Sequence, residues 1–353
     1  MSTAFRAPGR VNLMGDHTDY NAGFVLPAAL QLECRVVGSP RSDGRVRARS
    51  ADHDGIVDVS ADGSDEPSGV EPEWGRYVAG VVTALAGKGR AGVGLDAEID
   101  SSVPPGSGLS SSAALEVACA LALCNAAGLT LDARELALAC QEAEHLATGV
   151  PSGIMDQVAS LAAQGGHALL LDCRTITWEP VAVPTEIAFV VVHSGLPRKL
   201  ELSAYAERRA ACEALALRLG LRSLRDASPE QVADEPLGRH VVSENDRVHE
   251  VAAAVAAGEL SEVGRLFDES HASLRDDFRV STPQLDLLVT LLVEAGAAGA
   301  RLTGAGFGGC VVAACERPEA EAVGRDAARR YATETGLEPW SFVAELSPGA
   351  GPA

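Results

Sequence analysis

Residues 104–113 read Pro-Pro-Gly-Ser-Gly-Leu-Ser-Ser-Ser-Ala and run directly into a long apolar stretch. The first amides of a helix have no internal partners, and the helix dipole is positive there. Glycines let backbone come close to an anion, and hydroxyls add donors. Gly106, Ser107, Gly108, Leu109, Ser110, Ser111 and Ser112 are therefore candidate ligands for a chain of phosphates. One serine would be enough for an ordinary helix cap; three behind Gly-x-Gly are more than a cap needs. The segment is not a Walker loop, which requires Gly-Lys-Ser/Thr. The only lysines, Lys88 and Lys199, are followed by Gly89 and Leu200. Phosphate charge must then be met by amides, a divalent cation and arginine.

Arg10, Asp16, His17 and Asp19 fall within ten residues near the start. Carboxylate, imidazole and guanidinium groups supply the directional donors and acceptors that read the hydroxyls of an uncharged sugar. Aspartate, threonine and asparagine also favour turns, so composition alone is equally compatible with a polar turn. Asp156 stands in the otherwise apolar Ile154-Met155-Asp156-Gln157, which reads as a turn. A nearby carboxylate can orient a hydroxyl and accept its proton. A helix cap or buried ion pair is the plainer reading of the same residue. Glu142 and Glu144 lie near the carboxyl end of an expected helix, where the dipole disfavours them.

These segments, in this order, resemble the motifs of the GHMP small-molecule kinases. PPGSGLSSSAA is similar to the second motif, and Leu302-Thr303-Gly304-Ala305-Gly306-Phe307-Gly308-Gly309-Cys310 to the third. Ala7-Pro8-Gly9-Arg10-Val11-Asn12-Leu13-Met14-Gly15-Asp16-His17-Thr18-Asp19-Tyr20-Asn21 closely resembles the signature GRVNLIGEHTDYN of the galactokinases. Gly153–Gln157 matches the segment that carries the family's catalytic aspartate.

The resemblance spans nearly the whole chain. It implies ATP-dependent phosphorylation of a sugar, first of all galactose at its C1 hydroxyl, as a first step of galactose metabolism. In that reading Asp156 is the catalytic carboxylate, paired with and kept ionised by Arg10. Asp16, His17, Thr18 and Asp19 bind the sugar. Tyr205, in Ala204-Tyr205-Ala206-Glu207-Arg208-Arg209, is its counterpart from the second half. Ser112 and Glu144 take the family's Mg2+ positions, which leaves Glu142 as a solvated carboxylate. Magnesium wants oxygen ligands and keeps several waters.

The match departs in three places. Asp16 replaces the family's glutamate and shortens the reach by one methylene. Ala305 interrupts a glycine run, and its methyl limits positive φ. His193–Arg198 differs from the usual stretch before the tyrosine. Two alternatives stand beside galactokinase: a related kinase for an N-acetylated or deoxy hexose, and a catalytically silent galactose and ATP sensor. Retention of Ser112-Ala113, Arg10 and Asp156 argues against the sensor.

The elements needed to position these groups can be read coarsely. Short apolar runs at 11–14, 24–26, 34–37 and 95–99 read as strands, and 73–85 as a helix. Helices follow the serine loop and span 132–146, and 168–171 and 187–193 are strands. The second half is helical over 201–219, 241–257, 260–273 and 283–295. Strands 300–303 and 310–315, helix 318–335 and strand 341–346 close the chain. Residues 52–73 read as an exposed loop, and the tail SPGAGPA as frayed. The expectation is an α+β fold of two domains, 1–182 and 183–353, with the site in the cleft between them.

Length and composition agree. The chain has 353 residues, 46% hydrophobic and 22% charged, which excludes disorder and coiled coil. The net charge of -20 argues against nucleic acid and anionic membranes as partners. Its eight cysteines form no Cys-x-x-Cys pair and read as buried thiols. No apolar run reaches the roughly 18 residues of a membrane span. With no apolar core near the N-terminus, a cytoplasmic protein is expected. The sequence does not set the oligomeric state; a monomer is compatible with it.

Overall fold

The computed structural model describes residues 2–196 and 201–353, with side chains of the second stretch described from Ala204 on. Pro197, Arg198 and Lys199, singled out above, lie outside the described residues.

The first half begins with β1 (Thr3–Asn12), β2 (Phe24–Val25), β3 (Pro27–Arg41), β4 (Arg45–Ser50) and β5 (Ile56–Ser60). Helix α1 (Gly75–Gly87), β6 (Gly94–Ser101), α2 (Ser111–Ala127), α3 (Ala133–Thr148) and α4 (Met155–Ala162) follow, then β7 (His167–Asp172) and β8 (Thr177–Ala182). The second half contains β9 (Ile187–His193), α5 (Glu201–Arg218), α6 (Pro236–Ala257), α7 (Leu260–Asp276) and α8 (Pro283–Glu294). It ends with β10 (Gly299–Thr303), β11 (Cys310–Glu316), α9 (Ala320–Thr335), β12 (Trp340–Val343) and β13 (Gly351–Pro352).

The strands form three sheets, ordered β13-β1-β3-β6-β4-β5, β10-β11-β9-β12 and β2-β7-β8. Among the described residues the only parallel pairing is β4 with β6. The architecture is α+β, as expected. Sheet membership changes between β8 and β9, and β13 returns to the first sheet.

Helix α2 is the pivot of the first half. Ala114, Val117, Ala118 and Leu123 are buried together with Val11, Leu30 and Val36 of the sheet beneath. Fully burying each larger aliphatic chain is worth about 1.5–3 kcal/mol. That anchors the amino end of α2 at a set place over the sheet. Gly128, at φ 67°, ends the helix. Helix α3 starts with a reciprocal cap: Asp132 Oδ1 accepts from Glu135 N (2.8 Å), and Glu135 Oε2 accepts from Asp132 N (3.0 Å). A second apolar cluster lies under the β9–β12 sheet, with Val190, Val192, Phe278, Leu302 and Tyr331 buried in it.

Three expectations need correcting. Residues 52–73 are not only a loop, because β5 pairs with β4 and buries Val57 and Val59. Its two inward valines were hidden among polar residues. Asp156 does not sit in a turn but in the first turn of α4, where a carboxylate is favoured. The C-terminal tail is fastened rather than frayed. Gly349 N donates to Ala163 O (2.7 Å), Ala350 N to Ser160 O (2.8 Å) and Ala353 N to Ala4 O (3.0 Å). These bonds use backbone only, which side-chain patterns do not reveal. A Cβ on Gly349 would lie 2.3 Å from Leu161 O, so only glycine fits that approach.

Candidate active site

The serine loop and α4 converge on one carboxylate. Arg10, near the end of β1, reaches Asp156 through a fork: Nε donates to Oδ1 and Nη2 to Oδ2, each at 2.9 Å. Its Nη1 donates to Gly108 O at 2.6 Å, which ties the pair to the serine loop. Ser110 Oγ also donates to Asp156 Oδ2. Ser110 itself sits at φ 62°, a sharp turn that swings the chain into α2. Asp156 keeps 26% of its side chain exposed, whereas Arg10 keeps 6%. The aspartate therefore has an edge open to a cavity of about 630 Å³.

Five of the seven loop residues, Gly106, Gly108, Ser110, Ser111 and Ser112, line that cavity. Ser107 and Leu109 do not. Ser107 Oγ donates to Pro104 O at 2.7 Å, and Leu109 is fully buried, its carbonyl accepting from Arg10 N at 3.0 Å. They shape the loop from inside. A second cavity, of about 690 Å³, shares Tyr77, Gly106, Ser111 and Ser112 with the first. It continues past His53 and Trp74, whose rings stack at 6.3 Å. The amino end of α2 thus lies at the junction of two hollows.

Glu144 faces Ser112 across this junction. Its Oε1 accepts from Ser112 Oγ (2.9 Å), and its Oε2 from Ser152 Oγ (2.9 Å) and Gln157 Nε2 (2.8 Å). Gln157 Nε2 also reaches Glu116 Oε2 at 3.2 Å. Glu116 is fully buried in α2, and burial pushes its acid well above the usual range. Among the described residues no cluster of three His, Cys, Asp or Glu side chains could hold a metal alone. A hydroxyl and a carboxylate side by side do suit a magnesium ion that takes its remaining oxygens from phosphates and water.

The signature residues form the other wall. Asp16, His17, Asp19 and Tyr205 all line the first cavity. His17 adopts φ 66° and is nearly sealed. Its Nε2 donates to Ala305 O (3.2 Å), so its Nδ1 accepts from Tyr20 Oη (2.9 Å). Burial pushes its pKa down to about 3, so the ring is neutral. Both nitrogens are engaged within the protein, and the ring shapes the wall beside Phe278, 4.6 Å away. Burial first, and then the neighbouring Asp156 and Asp16, push Asp19 up to about 6. A Cβ at Gly153 would fall 1.6 Å from Asp19 Oδ2, so that aspartate occupies space only glycine leaves. The Tyr205 ring stands 5.3 Å from Tyr20 and 5.8 Å from His17.

Thr18 is not on the cavity wall. Its Oγ1 lies 2.7 Å from Gly15 O and 2.6 Å from Phe24 O and closes the turn. The hydroxyl has one proton, and both acceptors are backbone. Asp16 is almost fully buried. Its Oδ2 accepts from Arg301 Nη2 (2.6 Å) and its Oδ1 from Gly304 N (2.8 Å). Burial raises its pKa, and Arg301 opposes the rise.

The loop after β10 has positive φ at Gly304, Gly306, Phe307, Gly308 and Gly309, but not at Ala305. The alanine methyl is therefore tolerated, contrary to the concern raised by its sequence. Sequence reasoning missed Arg301 and Glu244, and it placed Gly153 in a motif without its close approach to Asp19. The first two lie in helix and strand patterns that read as ordinary. Glu116, an acid within an apolar helix, was a visible signal left unused.

Three family descriptions match the chain: the galactokinase galactose-binding signature at residues 2–40, the GHMP kinases N-terminal domain at 76–164 and the GHMP kinases C-terminal domain at 251–333. The galactokinase of Roseiflexus sp. (strain RS-1) is 45% identical, covering 98% of this chain and 92% of that one. The structure of Lactococcus lactis galactokinase complexed with galactose superposes with a TM-score of 0.92 at 34% identity, covering 100% of this chain and 95% of that one. Methanococcus jannaschii mevalonate kinase shares the fold alone, with a TM-score of 0.70 at 17% identity over 98% and 99% of the two chains. On this geometry and these likenesses, the chain belongs to the GHMP kinases, in their galactokinase family.

Proposed function

We propose that the chain transfers the γ-phosphoryl group of ATP to the C1 hydroxyl of galactose, with Asp156 and Arg10 as its catalytic residues. The observation that carries this is the forked Arg10–Asp156 pair, open on one edge to the cavity and tied by Ser110 to the amino end of α2. Phosphoryl transfer is mostly positioning and charge stabilisation. Asp156 accepts the sugar hydroxyl's proton as the oxygen bonds to the γ-phosphorus. The bond from that phosphorus to the bridging oxygen breaks, and ADP leaves with that electron pair. Arg10 balances charge on Asp156 and on the transferring group.

The phosphates lie along Gly106, Gly108 and Ser110–Ser112, where free amides and the helix dipole favour anions. The base occupies the second hollow beside His53 and Trp74. Ser112 and Glu144 would hold magnesium, which would supply positive charge beside the phosphates. Asp16, Asp19 and Tyr205 read the sugar, and His17 holds the shape of that wall. The place of action is the cytoplasm. Among the described residues no helix is long and apolar enough to cross a membrane.

The test is ADP production with Mg-ATP against galactose, glucose, N-acetylgalactosamine and 2-deoxygalactose. Turnover on galactose above the others is expected. Preference for another sugar would overturn the substrate. Galactose binding without ADP would make the chain a sensor.

A further inference from the structure

Asp16 is held by groups far along the chain. Residues 301 and 303 alternate onto the same face of β10, and that face meets the signature segment. Thr303 Oγ1 donates to Asn12 O (2.8 Å) and accepts from Asn12 N (3.1 Å). Arg301 Nη1 donates to Leu13 O (2.8 Å), and Nη2 donates to Asp16 Oδ2 (2.6 Å) and Glu244 Oε1 (3.2 Å). Glu244, on α6, takes the next backbone group, accepting from Gly15 N at 3.1 Å. Ser270 Oγ at 2.8 Å and Arg247 Nε at 2.9 Å complete its shell. Arg301 and Glu244 have no solvent exposure. Two arginines face two carboxylates, so the cluster is neutral as a set.

Charges sealed this fully need specific partners. Arg301 and Glu244 hold the backbone at residues 13 and 15 together with the carboxylate at 16. A stretch of four residues is thereby given one conformation. We propose that Arg301, supported by Glu244, is a positioning residue for sugar recognition, setting the place and acceptor orientation of Asp16. This rests on the reading that Asp16 contacts the sugar. The two oxygens already accept from Arg301 and Gly304, so only their remaining lone pairs serve the ligand. Asp16 therefore reads a hydroxyl that donates, in a fixed direction. Arg301 touches neither sugar nor nucleotide and acts through Asp16.

The test compares Arg301→Lys, Glu244→Gln and Asp16→Asn in steady-state kinetics and ligand-induced thermal shifts. Lysine keeps the charge but replaces a planar fork with one ammonium. Arg301→Lys should raise the galactose KM about tenfold, with kcat and the ATP KM changed by less than about threefold. The thermal shift with ADP should persist while that with galactose shrinks. Arg301→Lys combined with Asp16→Asn should be no worse than Asp16→Asn alone, since both act through one contact. A folded Arg301→Lys with galactose KM within about twofold of the parent, or fully additive effects, would overturn the proposal. Equal losses for both ligands, or failure of both Arg301→Lys and Glu244→Gln to fold, would overturn it in favour of a purely structural cluster. Should Asp16→Asn itself leave the galactose KM unchanged, the sugar contact at Asp16 fails first, and the two failures are told apart.

Discussion

Arg10–Asp156 and Arg301–Asp16 are chemically the same pair, each with one member in the first sixteen residues. They differ in access to water. Asp156 keeps 26% of its side chain exposed, whereas Arg301 keeps 0% and Asp16 2%. The first pair leaves a carboxylate edge where a hydroxyl can arrive. The second spends its guanidinium on a backbone carbonyl and two carboxylates. An ion pair at an active site is thus defined less by its partners than by which edge stays open. On the proposed reading, the open pair serves chemistry and the sealed pair serves geometry.

That contrast breaks most sharply at Asp156. Asp156→Asn should lower kcat by about 10²–10⁴-fold, the range lost with a general base, and retain the thermal shift with galactose. Full turnover in that variant would remove Asp156 from the chemistry. Stability should show the reverse order. Arg301→Met should cost about 3–5 kcal/mol in urea unfolding, as when a buried pair loses one member. Arg10→Met, whose partner is partly solvated, should cost less than half of that. Equal costs would erase the distinction between open and sealed.

Glu144 sharpens the open side. Glu144→Ala should raise the magnesium concentration for half-maximal rate about tenfold. An unchanged titration would exclude it from the metal site.

The smallest effect is in pH. Asp19 is pushed up to about 6, so the galactose KM should rise as pH falls below that value, and Asp19→Asn should flatten the profile. For stability the folded carboxyl keeps its proton in a range where the unfolded chain has lost it, from 3.8 to about 6. Its contribution therefore falls as pH rises through that window. His17 works the other way. Its folded pKa of about 3 against 6.5 makes stability rise with pH over that range. Ligand-free Asp19→Asn should gain stability at pH 7 relative to pH 4. Parallel stability curves for parent and variant would contradict the shifted carboxyl.

Most elements were legible because their patterns are local. The helix after the serine loop, the strand at 187–193 and the four helices from 201 to 295 follow apolar periodicity and appear within a few residues of expectation. Helix α4 was missed because its eight residues are too short for a periodic signal. Strand β5 was missed because its polar neighbours masked two inward valines. Residues 349–353 have no side-chain pattern at all, yet close onto β1 and the end of α4 through backbone bonds.

The site divided the same way. Residue type and order alone pointed to a phosphate loop and left a polar turn and a helix cap open beside a hydroxyl reader and a proton acceptor; the resemblance to the GHMP kinases chose between them. Sequence also exposed the resemblance that names the family. It could not say which of seven loop residues face the cavity or that Thr18 closes a turn, and it gave the Arg10–Asp156 pair, which spans 146 positions, only through that resemblance. Nor could it show that Asp16 is held by a residue 285 positions away. Charge pairing at such separations depends on how sheets and helices stack. That stacking is decided by burial summed over the whole core, and no local stretch of residues contains it.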